Sequence, residues 1–400
     1  MSINITKSNR LFLRCCYSYI VSGMATLVIG SILPSIIEEA GLSFSAAGGL
    51  ISVLAIGNFL ASFLFPVIVS FLGKQAAIAI TTAMVPLCLV GLTFLPPLSV
   101  MYVLILGAGI GRGSITILNN EVVNDTSENP AKMLNYLHGS YAIGAFTAPF
   151  MTALFISAGW GWRTFLLLLS VFCISSCISY ATIDYSYGKS RASDASGSPA
   201  EVKKGAGGSG WSCLRNIDFC CIAFALFFYT GFENCVNGWF VTYFKSMGIM
   251  SSAYATNLVS VTWIMVMLGR LLTAKLSTKI DKNKLIFSYC IATAAFFILL
   301  LATHNLAVIT VAIAGLGFFF AGIYPTSVSS AGAVLKGSNT GMSMFLAIAA
   351  LGGIVTPQIV GVLADSFGMT AAILVLLFNA AGMFVLSLVN LKVNSKSRLF

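Results

Sequence analysis

The chain has 400 residues, of which 58% are hydrophobic and only 8% charged, and its net charge is +10. So few charges cannot cover a surface exposed to water, which excludes a soluble globular protein. The basic excess has to be explained by its placement before a nucleic-acid partner is invoked.

The first apolar run, 11–37, is too long for the core of a signal peptide and has no small-residue cleavage site, so it reads as a retained helix. Eleven more runs follow, at 46–72, 76–95, 98–120, 133–157, 162–183, 217–244, 252–276, 284–303, 306–334, 339–364 and 368–391. Each has about the length a tilted helix needs to cross ~30 Å of hydrocarbon. Pro96-Pro97 and Gly159-Trp160-Gly161 form two of the turns between them. The expected fold class is all-α integral membrane, with twelve transmembrane helices.

The longest polar stretch, "DYSYGKSRASDASGSPAEVKKGAGGSGW" (184–211), has the composition of a flexible linker and divides the helices six and six. The expected domains are a six-helix bundle at 1–183, a cytoplasmic linker at 184–216 and a second six-helix bundle at 217–400. "KKGAGGSG" lacks both the Gly-Lys-Ser/Thr order of a phosphate loop and a preceding strand.

With both termini cytoplasmic, only Arg163 and Lys245 of the 22 basic residues face outward, and Arg112 lies inside a helix. That asymmetry is a positive-inside signal. The basic balance therefore reports topology, and no nucleic-acid partner is expected. Ten cysteines lie in or beside apolar runs without a metal-binding spacing, so neither metal nor cofactor is expected. No nucleophile–base–acid set points to an enzyme.

The halves repeat. Glycines 23, 107, 109 and 144 recur as glycines 231, 315, 317 and 352, and Pro149 recurs as Pro357, all at an offset of 208. Two parallel six-helix repeats joined by a linker suit a carrier whose halves rock about a midplane site. Pro149, Pro325 and Pro357 are expected to bend helices at glycine-rich crossings.

Several stretches carry a family resemblance: "GAGIGRGSITILNNEV" (107–122), "LNYLHGSYAIGAFTAPF" (134–150), "YTGFENCVNGWFVTYF" (229–244), "TWIMVMLGRLL" (262–272), "GIYPTSVS" (322–329) and "GGIVTPQIVGVLAD" (352–365). Over its whole length the chain resembles the major facilitator superfamily, and these stretches look most like its fucose and sodium-glucose type sugar transporter branch. The resemblance implies alternating-access transport. Two departures stand out. The loop after the second helix, which in the superfamily usually carries an Asp-Arg pair, is reduced to "SFLGKQ" (70–75). Proton-coupled sugar members have acids in helices 1 and 4; here helix 1 has none in its middle and helix 4 carries Arg112.

Ionisable groups at bilayer depth cost ~2.5–3.5 kcal/mol on insertion scales, so each normally faces a partner or a wet cavity. Arg112 is either a cavity cation, binding a carboxylate or hydroxyls or pairing with Glu233, or a structural or snorkelling charge. Glu233 is a substrate contact and coupling carboxylate, or an Arg-paired lock between helices. His138 is a proton relay or a packing histidine bonded to Asn119 or Asn135. Asn119 is a ligand or an inter-helix hydrogen bond. Asn237, Trp263 and Tyr324 suit a polyol, since flat sugar faces stack on aromatic rings. The candidate substrate site is therefore Arg112, Asn119, Glu233, Asn237, Trp263 and Tyr324, with Glu233 and His138 as coupling residues.

The expected function is secondary transport of a small polar solute, a sugar or related organic compound. Coupling would be to a proton or sodium ion, in a monomer. The expected location is the plasma membrane (a bacterial inner membrane), spanned many times with both termini cytoplasmic. The alternative is efflux of drugs or metabolites on the same scaffold.

Overall fold

A computed structural model describes residues 7–127, 130–182, 215–335 and 339–396, all helical apart from short turns. The elements are α1 (Lys7–Ala40), α2 (Phe44–Thr93), α3 (Leu98–Thr126), α4 (Pro130–Ser157), α5 (Gly161–Ala181), α6 (Ile217–Ser246), α7 (Ser252–Leu276), α8 (Lys282–Leu301), α9 (Leu306–Phe320), α10 (Ile323–Leu335), α11 (Asn339–Phe367), α12 (Met369–Ala372) and α13 (Val375–Lys396). The expected linker at 184–216 lies outside the described residues, apart from Arg215 and Asn216.

Among the described residues, 11 helical stretches are long and apolar enough to cross a membrane. One of them, α2, has 50 residues, about 75 Å at 1.5 Å per residue. That is far more than one crossing of ~30 Å requires. It bends at Gly73, whose φ of 79° is left-handed and whose lack of a Cβ makes that geometry inexpensive. The bend falls between the expected second and third segments, so α2 is two crossings and the total is twelve.

The tenth crossing is interrupted between α9 and α10. Pro325 sits in the first turn of α10, and its ring cannot accommodate the carbonyl of Ala321 one turn earlier. Helix starts follow local chemistry. Asn216, Ser251, Asp281 and Asn305 each accept a backbone N–H in the first turn of α6, α7, α8 and α9.

Packing divides the chain into two units: Met1–Gly41 with Val53–Lys203, and Leu42–Ser52 with Lys204–Phe400. The stretch Leu42–Ser52, expected in the first bundle, packs with the second unit. The contacts that hold it are specific. Asp365 of α11 accepts the backbone N–H groups of Phe44 (2.6 Å) and Ser45 (2.9 Å). Ser52 donates to the Ile354 carbonyl at 2.6 Å, and Gln358 donates to the Ser45 carbonyl at 3.2 Å. The first amides of a helix have no intrahelical acceptor and carry the positive end of its dipole, so a carboxylate there acts as a cap supplied by another helix.

In the first unit α1 packs chiefly on α4, then on α5 and α3. In the second, α6 packs chiefly on α11, then on α13, α10 and α7. The packing of α1 on α4, α5 and α3 corresponds in the repeat to that of α6 on α11, α13 and α10. A methyl added at Gly144 would overlap the Ile20 carbonyl of α1, and one at Gly352 would overlap the Phe227 carbonyl of α6. Gly109 likewise sits against the Leu54 carbonyl and Gly317 against that of Thr262; these partners are themselves 208 positions apart. The repeat read from glycines is thus a repeat of backbone contacts.

Large apolar side chains face outward, among them Phe71, Phe94, Val103, Phe367 and Phe378. In water such a surface would drive association; in hydrocarbon it is simply solvated. The nine described cysteines are all free and are buried or half-buried, as small hydrophobes are.

Two predictions follow from these contacts. Gly144→Val and Gly352→Val should each cost more than the ~1–3 kcal/mol typical of overpacking, because backbone cannot rotate away. Each should lose its monodisperse peak in fluorescence-detected size-exclusion chromatography. Gly139→Ala, which meets nothing within 4 Å, should keep that peak. Asp365→Ala should remove about 1 kcal/mol of capping, and Asp365→Asn less, because an amide oxygen still accepts; thermal unfolding in detergent should rank them so.

Candidate functional site

The second unit contains a polar seam built on α6. Tyr229, Glu233 and Asn237 are spaced four apart, so they lie on one face of the helix. Trp263 and Arg270, seven apart, form the matching face of α7. Tyr324 comes from the first turn of α10.

Tyr229 is fully buried, and its hydroxyl lies within Coulombic range of Glu233, Arg270 and Tyr324. Tyr324 lies within range of the same carboxylate and guanidinium. The Arg270 Nε is buried and has no hydrogen-bond acceptor among the described residues. One turn along, Trp263 Nε1 donates to Asn237 Oδ1 at 3.2 Å. The Tyr229 ring packs on Phe320 at 4.7 Å between centroids, closing the seam on one side with apolar surface.

Four of the expected residues therefore come together: Glu233, Asn237, Trp263 and Tyr324. Arg270 was not among the expected site residues; it lies six residues from the end of α7, on the face that carries Trp263. That seven-residue spacing was the available signal, and the inward-pointing charge overrides the general drift of arginines to the interface.

In the first unit Arg112 is 14 residues from either end of α3. It lines a small, partly open cleft with a cavity volume of about 20 Å³. The cleft lies among α1, α2, α3 and α5, and serines 18, 22 and 176 line it with Arg112. The guanidinium reaches the Tyr141 hydroxyl at 3.5 Å, a long and weak hydrogen bond. Sequence reasoning missed the three serines, because a helical serine normally carries no signal beyond a tolerated small side chain.

Asn119 does not join this cleft. It is fully buried, accepts from the Tyr180 hydroxyl at 2.8 Å and donates to the Cys15 carbonyl at 3.4 Å. It therefore links α3 to α5 and α1, and its carboxamide is not bonded to His138. His138 is exposed, with its ring edge-on to Tyr19 at 5.5 Å. The shortened loop at 70–75 is also tied down: Lys74 pairs with Glu121, and Gln75 donates to the Ala181 carbonyl.

The Major Facilitator Superfamily model matches residues 15–341. The chain belongs to that superfamily. Its members are transporters and not enzymes. A curated relative, Bypass of stop codon protein 6 of Saccharomyces cerevisiae, is 22% identical over 387 residues, covering 89% of this chain and 77% of that protein.

Solved superfamily-like structures match the fold. A D-xylose-proton symporter aligns with a TM-score of 0.74 at 14% identity, over 95% of this chain and 96% of that one. The nucleoside transporter NupG gives 0.72 at 15%, over 98% and 99%. A bacterial homologue of the human lysosomal transporter Spinster, inward-facing and unoccupied, gives 0.72 at 15%, over 97% and 98%. At these identities the likeness shows the fold alone.

If Glu233 and Arg270 share one electrostatic site, removing one charge strands the other. Arg270→Ala should lower the thermal midpoint in detergent more than the double change Arg270→Ala with Glu233→Gln. The double-mutant cycle should give a coupling of ~0.5–3 kcal/mol. Additive effects would separate the two residues.

Proposed function

We propose that this superfamily transporter carries a small polar solute of the sugar-like or related organic class by alternating access, and that Glu233 both contacts the solute and couples its movement to a proton or sodium ion. The observation that carries this reading is the α6–α7–α10 seam: one carboxylate with one guanidinium, two tyrosine hydroxyls, an asparagine and a tryptophan. A carrier of apolar drugs gains nothing from so many polar groups kept at bilayer depth, where each is expensive. That favours uptake of a polar solute over the efflux alternative. D-xylose and nucleosides, after which two structurally similar transporters are named, are solutes of this polar, hydroxyl-rich kind.

Arg112 supplies a second charged position in the first unit. Asn119 supports the site through the position of α3, since both ends of its carboxamide already have partners. We place the chain in a plasma membrane with both termini cytoplasmic, on the asymmetry of its basic residues, and propose a monomer as the transporting unit. That asymmetry holds for a bacterial inner membrane and for a eukaryotic membrane alike, and the curated relative is a yeast protein.

The purified protein should be screened by thermal shift against sugars, organic acids and drugs, since a ligand of the folded state raises apparent stability. The hit should then accumulate in proteoliposomes under an imposed proton or sodium gradient. Glu233→Gln should abolish accumulation; Trp263→Phe, which loses the bond to Asn237 but keeps a ring, should lose less. Unchanged uptake by Glu233→Gln would remove this residue from the mechanism. A screen in which only amphipathic drugs bind would favour efflux.

A further inference from the structure

The Arg112 cleft has chemistry of its own. Ser18 and Ser22 lie four apart on α1 and Ser176 lies on α5. They are 1%, 4% and 3% exposed, and all three line the cleft. None of the three hydroxyls has a hydrogen-bond partner among the described residues. That is unusual, because a helical serine or threonine ordinarily bonds back to its own helix. Thr26 and Thr82, in the same cleft, do so, to the Ser22 carbonyl (2.8 Å) and the Ile78 carbonyl (2.6 Å). Thr230, the repeat counterpart of Ser22, is likewise satisfied by the Phe227 carbonyl (3.1 Å) and that of Ala349.

Buried hydroxyls without partners are costly, and so is a guanidinium at mid-bilayer depth whose side-chain hydrogen bond among the described residues is a long one to a tyrosine. No Asp or Glu lines the cleft. Hydroxyls both donate and accept, but the Arg112 guanidinium only donates and no carboxylate faces it, so an oxyanion, which accepts from the cation and from all three hydroxyls, suits the set best.

We propose that this cleft binds a carboxylate-type oxyanion carried by the transported solute, held by Arg112 and by the hydroxyls of Ser18, Ser22 and Ser176. The cargo is then an organic anion, a hydroxy acid in place of a neutral sugar. The identification of the occupant with the cargo rests on the transport reading above. The anion preference of the cleft does not.

Cys177 also lines the cleft and serves as a built-in reporter. The purified wild-type protein is treated with methanethiosulfonates bearing a sulfonate, a trimethylammonium or a neutral methyl group, and labelling of the Cys177 peptide is followed by mass spectrometry. Each charged reagent's rate is normalised to the neutral one. The anionic reagent should react at least tenfold faster than the cationic one. Arg112→Gln should bring the ratio near one, and Arg112→Lys should restore most of it. Ser22→Cys provides a second reporter in the same cleft and should show the same order.

Equal or faster reaction with the cation, a preference that survives Arg112→Gln, or failure of all three reagents to reach Cys177 would each overturn the proposal. A protein that moves no solute in proteoliposomes yet shows the Arg112-dependent preference fails as a transporter and keeps the anion site.

Discussion

Backbone contact between the first and fifth helices of each repeat is the constraint on which the remaining packing rests. Hydrocarbon offers helices no hydrophobic reason to associate, so close van der Waals approach has to supply the attraction. Glycine permits it. Gly23 and Gly144 bring α1 and α4 together, and Gly231 and Gly352 do the same for α6 and α11. Once those axes are fixed, α3 and α10 are held on known faces of α1 and α6, and with them Arg112 and Tyr324.

On that frame the polar groups behave as a low-dielectric medium requires. Most are absorbed locally. Asn119 ties three helices together, and Asn283 accepts from Ser330 and Asn390 at 3.2 and 3.0 Å. Trp239 donates to the Pro357 carbonyl at 3.0 Å. Two groupings of polar side chains stand out among the described residues: the Glu233–Arg270–tyrosine seam in one unit, and the Arg112–serine cleft in the other.

The fold was legible because each segment answers to one strong rule, the length of an apolar run, and because the 208-residue offset cross-checks it. Where the signal was indirect, the reading missed it. Arg270 was left out of the expected site, although its seven-residue spacing from Trp263 puts the two on one face of α7. Composition alone gave no hint that Leu42–Ser52 packs with the second unit; that depends on one carboxylate, Asp365, reaching amides far away in sequence. The pairing of Asn237 with Trp263 was foreseeable only as co-location on facing helices. The unpartnered serines had no signature at all, because what distinguishes them is a bond they do not make.

The repeat finally explains why the two units differ in charge. Offset by 208, Glu233 corresponds to Ala25, and Arg112 corresponds to Phe320. These are the same two loci of the repeat. Ala25 lines the Arg112 cleft, and Phe320 packs against Tyr229 beside Glu233. In the first unit the helix-1 locus is a methyl and the helix-4 locus a cation. In the second the helix-1 locus is a carboxylate and the helix-4 locus an aromatic ring. Backbone packing is preserved between the repeats while the ionisable group moves to the opposite partner and changes sign. Neither unit carries both charges at these two loci; the guanidinium beside Glu233 comes instead from Arg270 of α7. Arg112 therefore lies among the serine hydroxyls of its cleft, and Glu233 lies with Arg270 beside the Tyr229 and Tyr324 hydroxyls.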